Sequence, residues 1–361
     1  METSLYPTYF ANTMRNSFVN RSTRISGSPE WKAGKPASDE DQPRALFTWA
    51  DHVAVESEST LRLFDKNVTQ LWSRTKAGGS PAAVGDSLAY YQDEQFYLTG
   101  VDIGGKARLS DADFPNAVDP AFQVALLAPR KDDFLAVIQF TGGPEGLSPK
   151  VYVEATRYGR NLSAWVKELD GTQVLEPLYI PAQERLIVFL DDIIFFDANT
   201  GNEISRHPYI IAPAGCCADT SGNLYMIGAP AGKNMLVMMS AAGQEVWRWE
   251  DNSSSAPVKN GRRPILGTAN QVFLLIGTSV IALTAGKQDW TFDTEGPSPD
   301  YGTALADGSL LVTAGNMLYR LDNEGNAVLE ADAESRILTP PVIDAEGSIF
   351  VATASELLRL K

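Results

Sequence analysis

Histidine and cysteine are scarce in this chain. Its 361 residues include two histidines, His52 and His207, and two cysteines, adjacent at Cys216 and Cys217. A zinc site or a Ser-His-Asp triad would have to be assembled around one of those two histidines. A framework of structural disulfides lacks the residues to form, so the fold must rest on its apolar core. Positive charge is also short: 30 Lys and Arg face 45 Asp and Glu, for a formal net charge of −15. That balance argues against a nucleic-acid interface or a polybasic membrane patch, both of which need clustered cations. No run approaches 18 consecutive apolar residues, so no direct membrane insertion is expected. The opening METSLYPTYFANTMRNSF has no charged region followed by an apolar one. The expectation is therefore a cytoplasmic protein as written, or a periplasmic or extracellular one if a leader was removed or export is not Sec-dependent. A long stretch with 3.6-residue apolar spacing is missing too, which removes helical solenoids and bundles.

What the chain has is a repeat. Segments of the form Gly-x-x-x-Trp occur at Gly27–Trp31, Gly243–Trp247 and Gly286–Trp290. The same frame ends differently at Leu109, Ser205 and Leu329, while Trp72 and Trp165 end similar segments without the glycine. Successive end points lie 37 to 43 residues apart, with one gap of 56. Before each lies an apolar strand closing on a turn residue, as in LRLFD (Leu61–Asp65), IIFFD (Ile193–Asp197) and LYRLD (Leu318–Asp322). Before that comes an Asp-x-x-Gly or Asp-Gly turn leading into a β-rich run, as in DTSGNLYMIG (Asp219–Gly228) and DAEGSIFVAT (Asp344–Thr353). Each unit reads as four short antiparallel strands, the content of one propeller blade. The expected fold is all-β: a single eight-bladed β-propeller over residues 27–361, with seven blades as the alternative and residues 1–26 as an N-terminal extension. The last unit, Ile337–Lys361, has three strands, so an N-terminal strand at GSPEW (Gly27–Trp31) is expected to complete it. The 56-residue gap is read as an insertion, Ala128–Lys150, a loop or longer hairpin rising from one face. DNSSSAPVKNGRR (Asp251–Arg263) is read as a second polar loop.

The Gly-x-x-x-Trp strand, the Leu-x-x-[Leu/Phe]-Asp strand ahead of it and the Asp-x-x-Gly turn together resemble the quinoprotein-type, PQQ-like propeller repeat over about residues 27–361. The resemblance implies one of two things. In the quinone-dependent alcohol dehydrogenases of that family, adjacent cysteines form a vicinal disulfide against the cofactor ring, which makes Cys216 and Cys217 the cofactor-binding candidates. Those enzymes also need a calcium ion held by carboxylate and amide oxygens, and an aspartate base, a constellation this sequence does not display. The other branch is non-catalytic, similar to the scaffold lipoprotein of outer-membrane protein assembly. That branch is the expectation here: no catalytic residue, no metal, no PQQ with calcium, and one or more protein partners.

The remaining candidates are weighed by position. DANTGNE (Asp197–Glu203) has the oxygen-rich look of a calcium loop but the spacing of a turn between two strands. The regularly spaced tryptophans are expected to pack between blades. Trp49 and Trp249 fall outside that register and are expected to be exposed. Residues 1–26 carry Arg15, Arg21 and Arg24 against Glu2, a basic and aromatic segment on an acidic chain. It reads either as a strap on the protein's own surface or as an arm for a partner. The partner-contact candidates are Arg15, Phe18, Arg130, Phe140, Trp49 and Trp249. A small quinone-dependent oxidoreductase and a carbohydrate-binding propeller are the alternatives to a scaffold.

Overall fold

A computed structural model describes residues 18–19, 31–34, 41–49, 51–57, 59–75, 82–84, 87–91, 98–102, 104–109, 122–129, 133–140, 150–157, 163–172, 174–251, 256–258, 262–294 and 296–360. Two strands come first, β1 (Phe18–Val19) and β2 (Trp31–Gly34). Sheet I follows: β3 (Pro43–Trp49), β4 (His52–Ser57), β5 (Thr60–Asp65) and β6 (Gln70–Thr75). Sheet II is β7 (Ala82–Val84), β8 (Ser87–Tyr91), β9 (Leu98–Asp102) and β10 (Ala107–Leu109). Sheet III is β11 (Phe122–Pro129), β12 (Asp133–Phe140), β13 (Lys150–Arg157) and β14 (Ser163–Asp170). Sheet IV is β15 (Leu175–Ile180), β16 (Arg185–Phe189), β17 (Ile193–Asp197) and β18 (Glu203–His207). Sheet V is β19 (Gly215–Ala218), β20 (Leu224–Gly228), β21 (Met235–Met239) and β22 (Glu245–Glu250). Sheet VI is β23 (Ile265–Leu266), β24 (Gln271–Ile276), β25 (Ser279–Thr284) and β26 (Lys287–Asp293). Sheet VII is β27 (Pro299–Leu305), β28 (Leu310–Ala314), β29 (Met317–Leu321) and β30 (Ala327–Asp332). Sheet VIII is β31 (Val342–Ile343), β32 (Ile349–Ala352) and β33 (Leu357–Leu360). Within each sheet the strands are antiparallel and neighbours in sequence order.

The first strands of successive sheets touch one another, as in β7 with β11, β11 with β15, β15 with β19, and β23 with β27, so they form the axial side of the stack. The fourth strands form the rim. Stacking explains the apolar runs. In β17, Ile193 and Phe195 face the core shared with sheet V, while Ile194 and Phe196 face the core shared with sheet III. A strand buried on both faces has no polar side to alternate with. Sheets I and VIII, the two ends of the chain, also share a core: Leu46, Leu63 and Trp72 pack with Val342, Phe350 and Leu357. β2 adds to the rim edge of sheet VIII, pairing antiparallel with β33 from Trp31↔Leu360 to Gly34↔Leu357.

Aromatic rings join sheet to sheet. A Cβ on Gly201 would lie 2.6 Å from the ring of Trp165, and one on Gly325 would lie 2.6 Å from Trp290. Trp72 covers Gly105 and Trp247 covers Gly286 in the same way. The Trp165 indole donates to the Ala198 carbonyl at 3.1 Å, and that of Trp290 to the Asn323 carbonyl at 2.8 Å. The tryptophan thus sits on the turn of the next sheet, and the left-handed φ of +68° at Gly201 suits glycine at the seat. Between sheets IV and V the ring is His207, over Gly243 and edge-on to Phe195 at 5.7 Å. The frame that ends on Ser205 therefore misses its packing residue by two positions.

One expectation needs correcting. Ala128–Lys150 is not an inserted loop, because it contains β12, which pairs with β13 along its whole length and with β11 from Phe134 to Phe140. The long spacing reflects eight-residue strands in sheet III together with residues 110–121, which lie outside the described residues. The DANTGNE segment is a turn: the backbone N–H groups of Asn199 and Thr200 both donate to Asp197 Oδ1 at 2.9 Å, and that of Gly201 donates to the Asp197 carbonyl at 2.8 Å.

Candidate functional site

The axial strands begin at one mouth of the stack, and charged residues meet there. Gly215 opens β19, and a Cβ on it would lie 1.7 Å from the carbonyl oxygen of Arg262. Only glycine admits that backbone contact. It lays Arg262 and Arg263, just ahead of β23, across the start of β19. From there Arg263 reaches back to an ion pair with Glu176 at the start of β15. Arg262 reaches forward to β27, donating to the Asp300 carbonyl and, at 3.2 Å, to Asp300 Oδ1. Arg336 holds the other Asp300 oxygen at 3.2 Å. One chain of ion pairs therefore links sheets IV, VI and VII, crossing sheet V through the Gly215 contact.

Beside it lies a cavity of about 270 Å³ lined by Leu175, Glu176, Gly215, Cys216 and Arg263. Arg263 is held with its side chain only 9% exposed. A second, wider cavity of about 530 Å³ lies against Asp300, Asn316, Glu334 and Arg336. The upstream loop is anchored by Asn234, whose amide donates to Asp251 Oδ2 at 3.2 Å and to the Ala256 carbonyl at 3.1 Å, and accepts from the Val258 N–H at 2.6 Å.

The cysteines sit on β19, where consecutive side chains point to opposite faces. Cys216, 4% exposed, lies in the core between sheets IV and V, and Cys217, 0% exposed, in the core between V and VI. Both are free thiols, and the Cys216 Sγ donates to the Cys217 carbonyl at 3.5 Å. Burial pushes both thiols up. The positive charge of Arg263 pulls down on Cys216 without reversing that. A protonated, buried thiol is a poor nucleophile. The pair does not form one wall against a planar ring, so these residues do not fit the quinone site that the resemblance implies. Among the described residues, no group of three or more His, Cys, Asp and Glu is placed to hold a metal ion.

Of the partner-contact candidates, Trp249 is corrected: it is 8% exposed and packs with Leu236 and Leu266 in the core between sheets V and VI. Two residues after Trp247 on the same strand, it shares that residue's inward face. Arg15 and Arg130 lie outside the described residues. Phe18, Phe140 and Trp49 are described as backbone in β1, β12 and β3. Sequence reasoning passed over Glu176, Arg262, Arg263 and Asp300. The RR pair at the end of a polar loop was the available signal.

Sheets of four antiparallel strands, stacked face to face with their first strands inward, define the β-propeller class. The chain is similar in structure to a europium-containing methanol dehydrogenase, with a TM-score of 0.69 and 10% identity over 97% of this chain and 89% of that one. It is similar to a quinohemoprotein alcohol dehydrogenase from Pseudomonas putida HK5, with a TM-score of 0.66 and 11% identity over 99% and 80% of the two chains. It is similar to BamB from Moraxella catarrhalis, with a TM-score of 0.55 and 13% identity over 93% and 99%. At such identities the likeness is one of fold. No protein-family model and no curated protein sequence matches the chain. Among the described residues no helix is long and apolar enough to cross a membrane.

Proposed function

We propose that this chain is an eight-bladed propeller of the PQQ-like kind, closed by β2, that serves as a non-catalytic scaffold for protein partners and holds neither quinone nor calcium. The ring is supported by the pairing of β2 with β33 and by the core that sheets I and VIII share. The observation that supports the functional half is the placement of Cys216 and Cys217 in two separate cores. The guanidiniums at the axial mouth support the same reading, since each meets a carboxylate of the chain itself.

Two measurements test it. In the native protein both thiols should resist a disulfide reagent and react only on unfolding, and the mass should carry no two-dalton deficit. Titration with the quinone in the presence of calcium should leave the quinone spectrum unchanged. A spectral shift that Cys216→Ser abolishes would instead establish the oxidoreductase reading. For the scaffold itself, residues 141–149 between β12 and β13 are the part of the former insertion that can be exchanged for a two-residue turn without removing a strand. Loss of partner capture on that exchange is expected, and full retention removes that loop from the binding surface.

A further inference from the structure

The cavity of about 270 Å³ at the start of β19 has one charged wall among apolar ones. Val174, Leu175, Pro213 and Ala214 supply the apolar surface, and Arg263 and Glu176 supply the charge. The guanidinium is fixed from behind. The preceding residue, Arg262, has its carbonyl against Gly215 and its side chain on Asp300. A few placed polar groups among apolar walls are the usual make-up of a small-molecule site. The volume lies below the roughly 300 to 1,000 Å³ of sites for drug-sized ligands, so this one suits a smaller molecule.

The ion pair in the cavity is lopsided. The Arg263 side chain is 9% exposed, whereas its carboxylate, Glu176, is 44% exposed. Two other buried arginines meet buried carboxylates: Arg62 meets Asp41, and Arg359 meets Asp344. A guanidinium taken out of water needs a close counter-charge. A carboxylate that keeps much of its hydration supplies a weaker one than a carboxylate shielded from water beside it. Glu176 also lies in the register shift between Leu175 and Leu178, and Pro177 after it has no N–H to give the ladder. Shifts of this kind re-aim a side chain. Here a carboxylate at the surface meets a cation beneath it.

We propose that this cavity is a binding site for a short aliphatic carboxylate, and that Glu176 holds the anion position until such a ligand displaces it. The ligand's carboxylate takes the planar fork of Arg263. Its hydrocarbon body packs on Val174, Leu175, Pro213 and Ala214 in place of water. Glu176 then turns to solvent, where much of its surface already lies. The Cys216 thiol in the cavity wall, kept protonated by burial, adds no negative charge to repel the anion. The site goes beyond the scaffold reading and stands or falls separately from it.

Isovalerate is the probe, titrated calorimetrically into the whole chain and into two variants. Binding to the wild-type chain should be weak, because Glu176 competes, and Glu176→Gln should tighten it about tenfold or more. Isovaleramide, of the same shape without the charge, should bind neither chain. Arg263→Gln should abolish binding of isovalerate. No binding to the Glu176→Gln chain with an unchanged circular dichroism spectrum, equal affinity for acid and amide, or binding that survives Arg263→Gln overturns the proposal. Should either variant fail to fold, Val174→Trp gives the answer, since Val174 is an exposed residue of the cavity wall and a larger ring there fills the cavity from the solvent side. Saturation-transfer NMR with millimolar isovalerate should give a signal from the wild-type chain and none from Val174→Trp. No signal from the wild type, or an equal signal from both, overturns it.

Discussion

His52 stands half-buried at the start of β4, and its Nδ1 is buried without a hydrogen-bond partner among the described residues. Burial pushes its pKa below the ordinary histidine value of 6.5, against the opposing pull of Asp51 and Asp65. The unfolded chain therefore takes up a proton near pH 6.5 that the folded chain refuses. Stability contributed by the neutral ring is complete above that pH and declines as the pH falls toward the lowered folded value. Urea midpoints should drop between pH 6.5 and 5, and His52→Gln should flatten that slope; an unchanged slope in the variant assigns it elsewhere. The cysteines teach a related lesson. Their adjacency was plain in the sequence, and the strand period of two already required them to face apart once β19 was a strand. What the sequence could not supply was that both faces of β19 are core.

The joint between sheets is built at the element scale. Removing the ring of Trp165 empties a seat on the Gly201 turn, and Trp165→Ala should cost about 2 to 4 kcal/mol, read from chemical denaturation. Gly201→Ala should cost at least about 1 to 2 kcal/mol from the left-handed backbone alone, and more because the new methyl would press on the indole. His207→Trp, the ring used at four other joints, should keep the fold and raise the denaturation midpoint; a loss would mean that the Gly243 seat is shaped for the smaller ring. The repeat was legible here because turn glycines and tryptophans are fixed by contacts inside each joint. The arginine chain at the axial mouth was not. Its partners, Glu176 and Asp300, lie 87 and 38 residues from Arg263 and Arg262, and charged residues that far apart carry no period to read. Sheet III was misread for a different reason: a longer strand and an inserted loop lengthen a repeat equally.

At the scale of the whole molecule, four rim positions carry large apolar side chains, Leu71, Ile204, Val246 and Val328, each between 45 and 56% exposed. They lie on four separate strands, β6, β18, β22 and β30, which fits single exposed apolar residues on an ordinary surface. Replacing all four by threonine should change the melting temperature little, as calorimetry would show. Deleting residues 1–34 is expected to do the opposite. It strips β2 from β33, leaves that edge bare, and should lower the melting temperature and promote self-association.

The pairing of β2 with β33 also sets a timetable. Residues 31–34 are made well before residues 357–360. At about 5 to 20 residues per second the early strand waits roughly 20 to 60 s for its partner. During translation every nascent chain thus carries an unclaimed β2, and on a polysome the nearest bare edge can belong to a neighbouring chain. Exchange of β2 between two such chains would give a dimer with both β33 edges covered, a product set by crowding at birth and not by the affinity of finished molecules.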